Sequence, residues 1–275
     1  SLSSVNNKGT LINIIDRTSS ASGSRLLKKW ILQPLTIIKD INDRLDRVEE
    51  FLSNSSIRDE IIKLIDNCSD IERIISKISA NKSNPREILG LAYSLNILND
   101  IKNKINTKKL KRNQKLIQSQ SNLNSIINKI ISIIIEDPPP NYLKGGFIKD
   151  NVNSKLDEYR KISNNATDWL INYQKEIEQE TEVKKIKIGY NRVFGYYIEV
   201  SKANIDKVPS FFIRKQTLTN AERYFTEELK EYENKILSAQ ENIIRIELEI
   251  LNDLREEILT NIRGILHNAK IISML

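Results

Sequence analysis

The sequence predicts a mainly α protein, an elongated helical bundle whose long antiparallel lever helices carry a small β-rich domain inserted at their tip. Three observations lead there. Charged residues make up 29% of the 275-residue chain and aromatic residues 6%, with 8 Gly and 6 Pro, a composition that suits helices better than sheets or loops. Apolar residues recur three and four apart through most of the chain, the period of an amphipathic helix. One passage departs from it: in "GYNRVFGYYIEV", residues 189 to 200, aromatic residues crowd around Gly189 and Gly195, which is strand chemistry.

Residues 10 to 35 read as an apolar helical segment, a Ser-rich turn and a second helix carrying Leu26, Leu27, Trp30 and Ile31. That helix must stop near Pro34, because proline lacks the amide and restricts the residue before it. Four more helices are predicted over 41–52, 56–67, 69–79 and 84–105, the last opening with Asn84 as N-cap and Pro85 at the first helical position. They pack as a core bundle over residues 1–150. The run Lys108, Lys109, Lys111, Arg112 and Lys115 reads as a solvated loop between helices. "EDPPPNYLKGGFIKD", 136 to 150, is the clearest break, since three consecutive prolines and a glycine pair cannot continue a helix.

Beyond the break, Val152, Leu156, Tyr159, Ser163, Ala166, Leu170, Tyr173 and Ile177 alternate spacings of four and three. This heptad seam predicts an outgoing lever helix over 151–182. Leu229, Tyr232, Ile236, Ala239, Ile243, Ile246 and Ile250 form a matching seam, and Leu254 and Ile258 continue it at fours as a stutter, which predicts a returning lever helix over 227–275. Two such helices flanking an insertion run antiparallel as arms. At about 1.5 Å per residue, arms of roughly 26 residues hold the insertion on the order of 40 Å from the bundle. The insertion, residues 183–226, contains a hairpin made by 185–190 and 195–200 and a third extended segment at 211–218, and Thr226 with Glu227 and Glu228 caps the returning helix. Its aromatic residues Tyr190, Phe194, Tyr196, Tyr197 and Tyr224 are expected to form its core, with room for one of them to be exposed, because a sheet this small needs aromatics for packing.

The chain carries 43 Lys and Arg against 36 Asp and Glu, a net charge of +7. That invites an anionic partner, although a composition this rich in Ile, Asn and Lys raises the lysine count by itself. Between Lys184 and Lys230, ten basic residues stand against five acidic ones, interleaved with the neutral donors Asn191, Gln216, Thr217, Thr219 and Asn220. Those residue types bind phosphate backbones, and nothing among them resembles a recognition helix or a base-reading ladder, so the contact expected is independent of sequence. Catalytic machinery is not evident: neither the phosphate-loop nor the dinucleotide glycine fingerprint occurs. His267, the only histidine, lies in an amphipathic helical context, and with Cys68, the only cysteine, it cannot fill the usual zinc sphere. A single cysteine excludes an internal disulfide and fits a reducing compartment. No apolar run approaches the roughly 20 residues of a membrane span, and no signal peptide is visible, so a soluble cytoplasmic protein is expected. Both ends look cut, the helical text "GILHNAKIISML" reaching Leu275 without a C-cap or breaker.

The passage "IKIGYNRVFGYYIEVSKANIDKVPSFFIRKQTLTNAERYFTEELKEYENKIL", 186 to 237, closely resembles the clamp and adjoining lever of the MutS mismatch-repair proteins of bacterial type. "TLINIIDRTSSASGSRLLKKWILQPL", "INDRLDRVEEFL", "SDIERIISKI", "NPREILGL" and "GGFIKDNVNSKLDEYRKIS" are similar to the family's core and lever passages in the same order, so the resemblance covers essentially the whole chain. One departure is Ser22 before Gly23, where many relatives carry a bulky residue.

The resemblance implies a core like the family's third domain over 1–150 and a clamp like its fourth over 183–226. It implies that the intact protein is a homodimeric, DNA-dependent ATPase whose levers relay conformational change between the ATPase and clamps closing around duplex DNA, with a downstream factor of the MutL type. In this chain itself it implies no catalysis, no cofactor and no metal, ATP and Mg belonging to an ATPase domain outside it; the chain alone is compatible with a monomer, and no membrane is involved. At the family's clamp-tip positions, Asn191, Arg192, Arg214, Lys215, Gln216, Thr217, Asn220 and Arg223 are the residues expected nearest DNA, cations pairing with phosphates and amides donating to backbone oxygens. From the residues alone an alternative stays open, a structural coiled-coil protein whose arms bind another helix and touch no nucleic acid.

Overall fold

The apolar periods form helices in the computed structural model, which describes residues 10–275 apart from Glu182, Lys184, Arg192 and Phe194. In chain order these helices are α1 (Leu11–Ile15), α2 (Ala21–Leu32), α3 (Ile38–Leu52), α4 (Ser55–Asp66), α5 (Ile71–Ser79), α6 (Pro85–Thr107), α7 (Lys111–Gln118), α8 (Asn124–Ile133), α9 (Ser154–Asn164), α10 (Ala166–Glu180), α11 (Glu227–Thr260) and α12 (Ile262–Met274). Four strands, β1 (Lys187–Asn191), β2 (Gly195–Ser201), β3 (Ile213–Thr217) and β4 (Ala221–Phe225), form one antiparallel sheet in the order β1-β2-β4-β3. The protein is therefore mainly α with a small β-rich insertion. Two units divide the chain: unit 1 is Ser1–Tyr142, Gly146–Lys149 and Glu249–Leu275, and unit 2 is Leu143–Gly145 and Asp150–Leu248.

Unit 1 is organised by α6, which buries Ile88, Leu91, Leu95, Leu98, Ile101 and Ile105. Its start is fixed locally: the Asn84 side chain accepts from Glu87 N, Glu87 answers on the amide of Asn84, and Pro85 occupies the first turn. Helices α5, α8 and α12 add Ile74, Ile78, Ile130, Ile265 and Ile271 to this core. The Ser-rich turn before α2 is held by Asp16, whose carboxylate accepts from Ser24 Oγ at 2.5 Å and Thr18 Oγ1 at 2.7 Å, while Ser20 Oγ caps Gly23 N. Arg25 of α2 pairs with both oxygens of Asp70 at 2.8 Å and with Glu72, and Asp70 is itself the N-cap of α5. After α8 the chain forms a single bridge, Ile134 to Ile148, around the turn at Gly145 and Gly146, both at positive φ.

Several expectations need correction. The run Lys108–Lys115 is not a loop throughout. Lys111–Gln118 folds as α7, because Glu50 of α3 accepts from the amides of Arg112 and Asn113 at 3.0 and 2.8 Å, capping the helix from outside its own sequence. The outgoing lever helix read over 151–182 is two helices, α9 and α10, separated at Asn165, whose ψ of 0° leaves the helical region. The returning helix read over 227–275 breaks at Asn261 into α11 and α12, and residues 249–275 cluster with unit 1. In both places asparagine, a weak helix former, marks the break.

Unit 2 packs its sheet on helices. Tyr173 and Ile177 of α10, Val183, Ile186, Ile198, Val200, Phe212, Tyr224 and Leu229 form its core. Trp169 is stacked between Tyr173 (4.6 Å between ring centroids) and Tyr232 (3.6 Å). Thr226 caps α11 as expected, accepting from Leu229 N at 3.1 Å, and its hydroxyl also bonds the Tyr173 phenol at 2.5 Å.

Candidate nucleic-acid interface

Strand alternation divides the sheet into two faces. Ile198, Val200, Glu222 and Tyr224 face the core; Tyr197, Glu199, Arg223 and Phe225 stand on the outer face. Gly195 opens β2 at φ +74°, and a Cβ there would lie 2.0 Å from the Glu233 carboxylate, which accepts from Tyr196 N. The β1–β2 hairpin and the start of α11 thus meet at a point where only glycine fits.

Beyond the third extended segment predicted at 211–218, a fourth strand, β4, follows. "AERYF" has helix-forming residues and was not legible as a strand, because its inward positions are Tyr224 and a carboxylate, Glu222. That carboxylate is 9% exposed and accepts from the Tyr224 hydroxyl at 2.6 Å. Burial, with the Glu222 carboxylate beside it, pushes the Tyr224 phenol up to about 12. An unfolded tyrosine ionises near 10, so in this window the unfolded state sheds its proton first and the fold loses stability as pH rises from about 10 to 12. Burial also raises the Tyr173, Tyr196 and Tyr232 phenols, so alkaline spectrophotometric titration should show a late-ionising group of tyrosines, from which the step near 12 should disappear in Tyr224→Phe.

The aromatic expectation also needs correction. Tyr224 is buried and Tyr196 packs against the core, but Tyr190 is 54% exposed and Tyr197 lies on the outer face; Phe194 lies outside the described residues. The core is filled instead by Tyr173, Phe212 and, at its edge, Trp169.

The eight site residues fall into three groups. Asn191 ends β1, and its Oδ1 accepts from Val193 N at 2.8 Å to close the hairpin turn. Arg192, between them, lies outside the described residues. Arg214, Lys215, Gln216 and Thr217 are successive residues of β3, with Asn220 in the turn to β4, where Leu218 N donates to Ala221 O at 2.8 Å. Arg223 is on β4.

A β-bulge arranges the middle group. Arg214 pairs with Tyr224 and Gln216 with Arg223, so Lys215 is the extra residue. Lys215 Nζ sits 5.0 Å from the Phe225 ring centroid, and Gln216 Oε1 accepts from Arg223 on the same outer face. Two successive residues thus point to one side, which regular alternation forbids. Lys230 of α11 approaches Phe225 as well, at 5.8 Å. Arg214, opposite Tyr224, is 66% exposed and makes only a loose 3.8 Å pair with Glu222. Thr217 and Asn220 are exposed. Arg223 differs: Nε donates to Glu199 at 3.0 Å, Nη1 to Gln216 at 3.1 Å, and the guanidinium lies 4.1 Å over the Tyr197 ring. The outer face therefore gathers Lys215, Arg223 and Lys230 around aromatic rings, with Arg214 exposed on the neighbouring β3 edge.

Other candidate chemistry is structural. His267 is exposed on α12 and hydrogen-bonds Ser119 O at 2.8 Å through Nε2. Burial pushes the Cys68 thiol up to about 11, which keeps it protonated near neutrality. Among the described residues no cluster of His, Cys, Asp and Glu is placed to hold a metal ion, and no helix is long and apolar enough to cross a membrane.

A family profile described as MutS domain III matches residues 1–275. The chain is 42% identical over 269 residues to the DNA mismatch repair protein MutS of Caldanaerobacter subterraneus subsp. tengcongensis, covering 98% of this chain and 31% of that protein. It is 43% identical over 279 residues to the DNA mismatch repair protein MutS of Bacteroides thetaiotaomicron, covering 100% of this chain and 32% of the relative. The MutS of Halothermothrix orenii is 40% identical over 271 residues, covering 98% and 30%. The chain thus spans about a third of the length of these relatives. With the helical bundle, the inserted sheet and these matches along its whole length, the chain belongs to the MutS family, within which it corresponds to domain III.

Proposed function

We propose that unit 2 grips the phosphate backbone of duplex DNA without reading its sequence, through the β3–β4 hairpin. One observation carries this reading: the bulge at Lys215 sets the half-buried Lys215 and Gln216 on one side of the sheet, with Arg214, Thr217 and Asn220 exposed around them. Cations beside neutral donors, with no helix to enter a groove, match backbone contact rather than base readout. Asn191 closes the neighbouring turn, Arg192 follows it in sequence, and Arg223 holds Gln216 from beside it on the same face. In the intact, dimeric protein this chain relays conformational change between DNA and an ATPase domain outside it, and itself carries out no catalysis and holds no cofactor. That relay is supported by α11, a single 34-residue helix contributing residues to both units. A downstream MutL-type factor and a cytoplasmic, nucleoid-associated location accompany this reading.

Titration of the 275-residue chain with unrelated duplexes tests it. Binding should be steeply salt-dependent, with little preference for mismatched over matched DNA. Arg214→Glu with Lys215→Glu should abolish it, and Arg214→Gln with Lys215→Gln should lower the salt slope by about 1.8, roughly 0.9 per lost phosphate contact. An unchanged affinity in the charge-reversed variant removes the hairpin from the interface. Absence of any duplex binding by the wild-type chain instead favours the coiled-coil alternative.

A further inference from the structure

One carboxylate stands among the cations of the outer face. Glu199 of β2 lies directly across from Arg223 of β4, and Glu199 Oε2 accepts from Arg223 Nε at 3.0 Å. The same guanidinium is held at two more points, by Gln216 Oε1 at 3.1 Å and by the Tyr197 ring 4.1 Å away. Tyr197 is fixed in turn, because its ring lies across its β1 partner Gly189, where a Cβ would come within 2.6 Å of it. Arg223 is therefore held along its length, with its side chain 20% exposed and that of Glu199 29% exposed.

The core does not require this carboxylate, since packing is on the other face of the sheet. Its effect is electrostatic. It cancels one cation beside Lys215 and Lys230 on the outer face, and it faces outward on its own strand. For a backbone binder, affinity is set by how many cations engage phosphates, each adding about 0.9 to the salt slope. An internal carboxylate removes one from that number without disturbing the fold, and a partly exposed ion pair is inexpensive to open.

We propose that Glu199 is a built-in counter-ion that withholds Arg223 from DNA phosphates and so limits the strength of the grip, an inference that rests on the duplex-binding reading above. Arg223 is then a positioning residue. It keeps Gln216 and the Lys215 bulge in register, while Glu199 sets the affinity.

Salt-dependent duplex titration of the 275-residue chain decides this, with thermal melting to confirm that each variant is folded. Glu199→Gln should bind duplex several-fold more tightly, and its affinity should fall about three- to four-fold more steeply than wild type between 50 and 200 mM salt, the effect of one added contact. Arg223→Gln should bind more weakly with an unchanged slope, because it leaves Glu199 unneutralised and removes no phosphate contact. Loss of about one slope unit in Arg223→Gln would mean that Arg223 already engages phosphate, and the proposal fails. It also fails alone if Glu199→Gln leaves affinity and slope at wild-type values while Arg214→Glu with Lys215→Glu abolishes binding. If no variant, wild type included, binds duplex, the proposal and the reading beneath it fail together.

Discussion

Replacing Arg160 by methionine is expected to destabilise unit 2 by about 3–5 kcal/mol, the cost of leaving a buried charge without its ionic partner. Arg160, on α9, is half-buried: its side chain is 18% exposed, and Nη2 donates to Glu247 Oε1 at 2.8 Å. The Glu247 side chain is 0% exposed. The other end of the guanidinium bonds Asp150 at 2.8 Å and lies 3.8 Å from Asp157, so one residue gathers three carboxylates from the loop after the glycine pair, from its own helix and from α11. Gly145 lies beside Glu247 at φ +78°, a backbone conformation that favours glycine. Methionine matches the arginine stem in volume and isolates the charge effect. The fluorescence of Trp169, in a Trp30→Phe background, reports on unit 2, and urea unfolding should show its midpoint falling sharply. The double variant Arg160→Met, Glu247→Leu should recover much of the loss, because removing both members of a buried ion pair costs far less than removing one. Equal destabilisation in the single and double variants would show that packing, and not charge, sets the cost.

Phe147→Ala should cost unit 1 about 3–5 kcal/mol, the usual price of deleting a fully buried aromatic ring. Phe147 is 0% exposed and meets Tyr142 edge-on at 6.1 Å, and its carbonyl accepts from Ile135 N at 3.1 Å. It anchors the returning side of the Pro- and Gly-rich turn beside the Ile134–Ile148 bridge. Phe147→Leu should cost much less, because it keeps most of the buried volume. Trp30 fluorescence in a Trp169→Phe background follows this unit, and similar losses for alanine and leucine would argue that ring geometry dominates over the cavity.

Most helices of unit 1 were legible because they carry their own instructions. The α6 helix has an N-cap, a proline at its first turn and apolar residues at the helical period, all within its own text. The α7 helix was not, since its cap comes from Glu50, some sixty residues earlier, and a basic stretch gives no local sign of it. The sheet divided the same way. The β1–β2 hairpin has glycines and aromatics at alternating positions, whereas β4 conceals its alternation behind Glu222, a residue that ordinarily faces water. The seams of α9, α10 and α11 were plain as spacing, but spacing does not report that one asparagine leaves the helical region.

At the candidate interface, residue identity was readable and residue orientation was not. Arg214, Lys215 and Arg223 look alike in sequence, yet Arg223 has Glu199 across the sheet and Arg214 has only a distant carboxylate. The distinction depends on strand register, which is set by pairing between segments more than twenty residues apart. The same family resemblance that placed these residues together could not tell the braced Arg223 from the exposed Arg214.

Because Lys215 occupies an extra place between Arg214 and Gln216, what this hairpin shows to solvent is governed by phase as much as by composition. Removing a single residue from the stretch between Ile213 and Leu218 would scarcely alter its amino-acid content, yet it would reassign which side chains look outward and which look inward. Insertions and deletions of one residue are therefore far less neutral here than substitutions, even though the stretch lies at a surface.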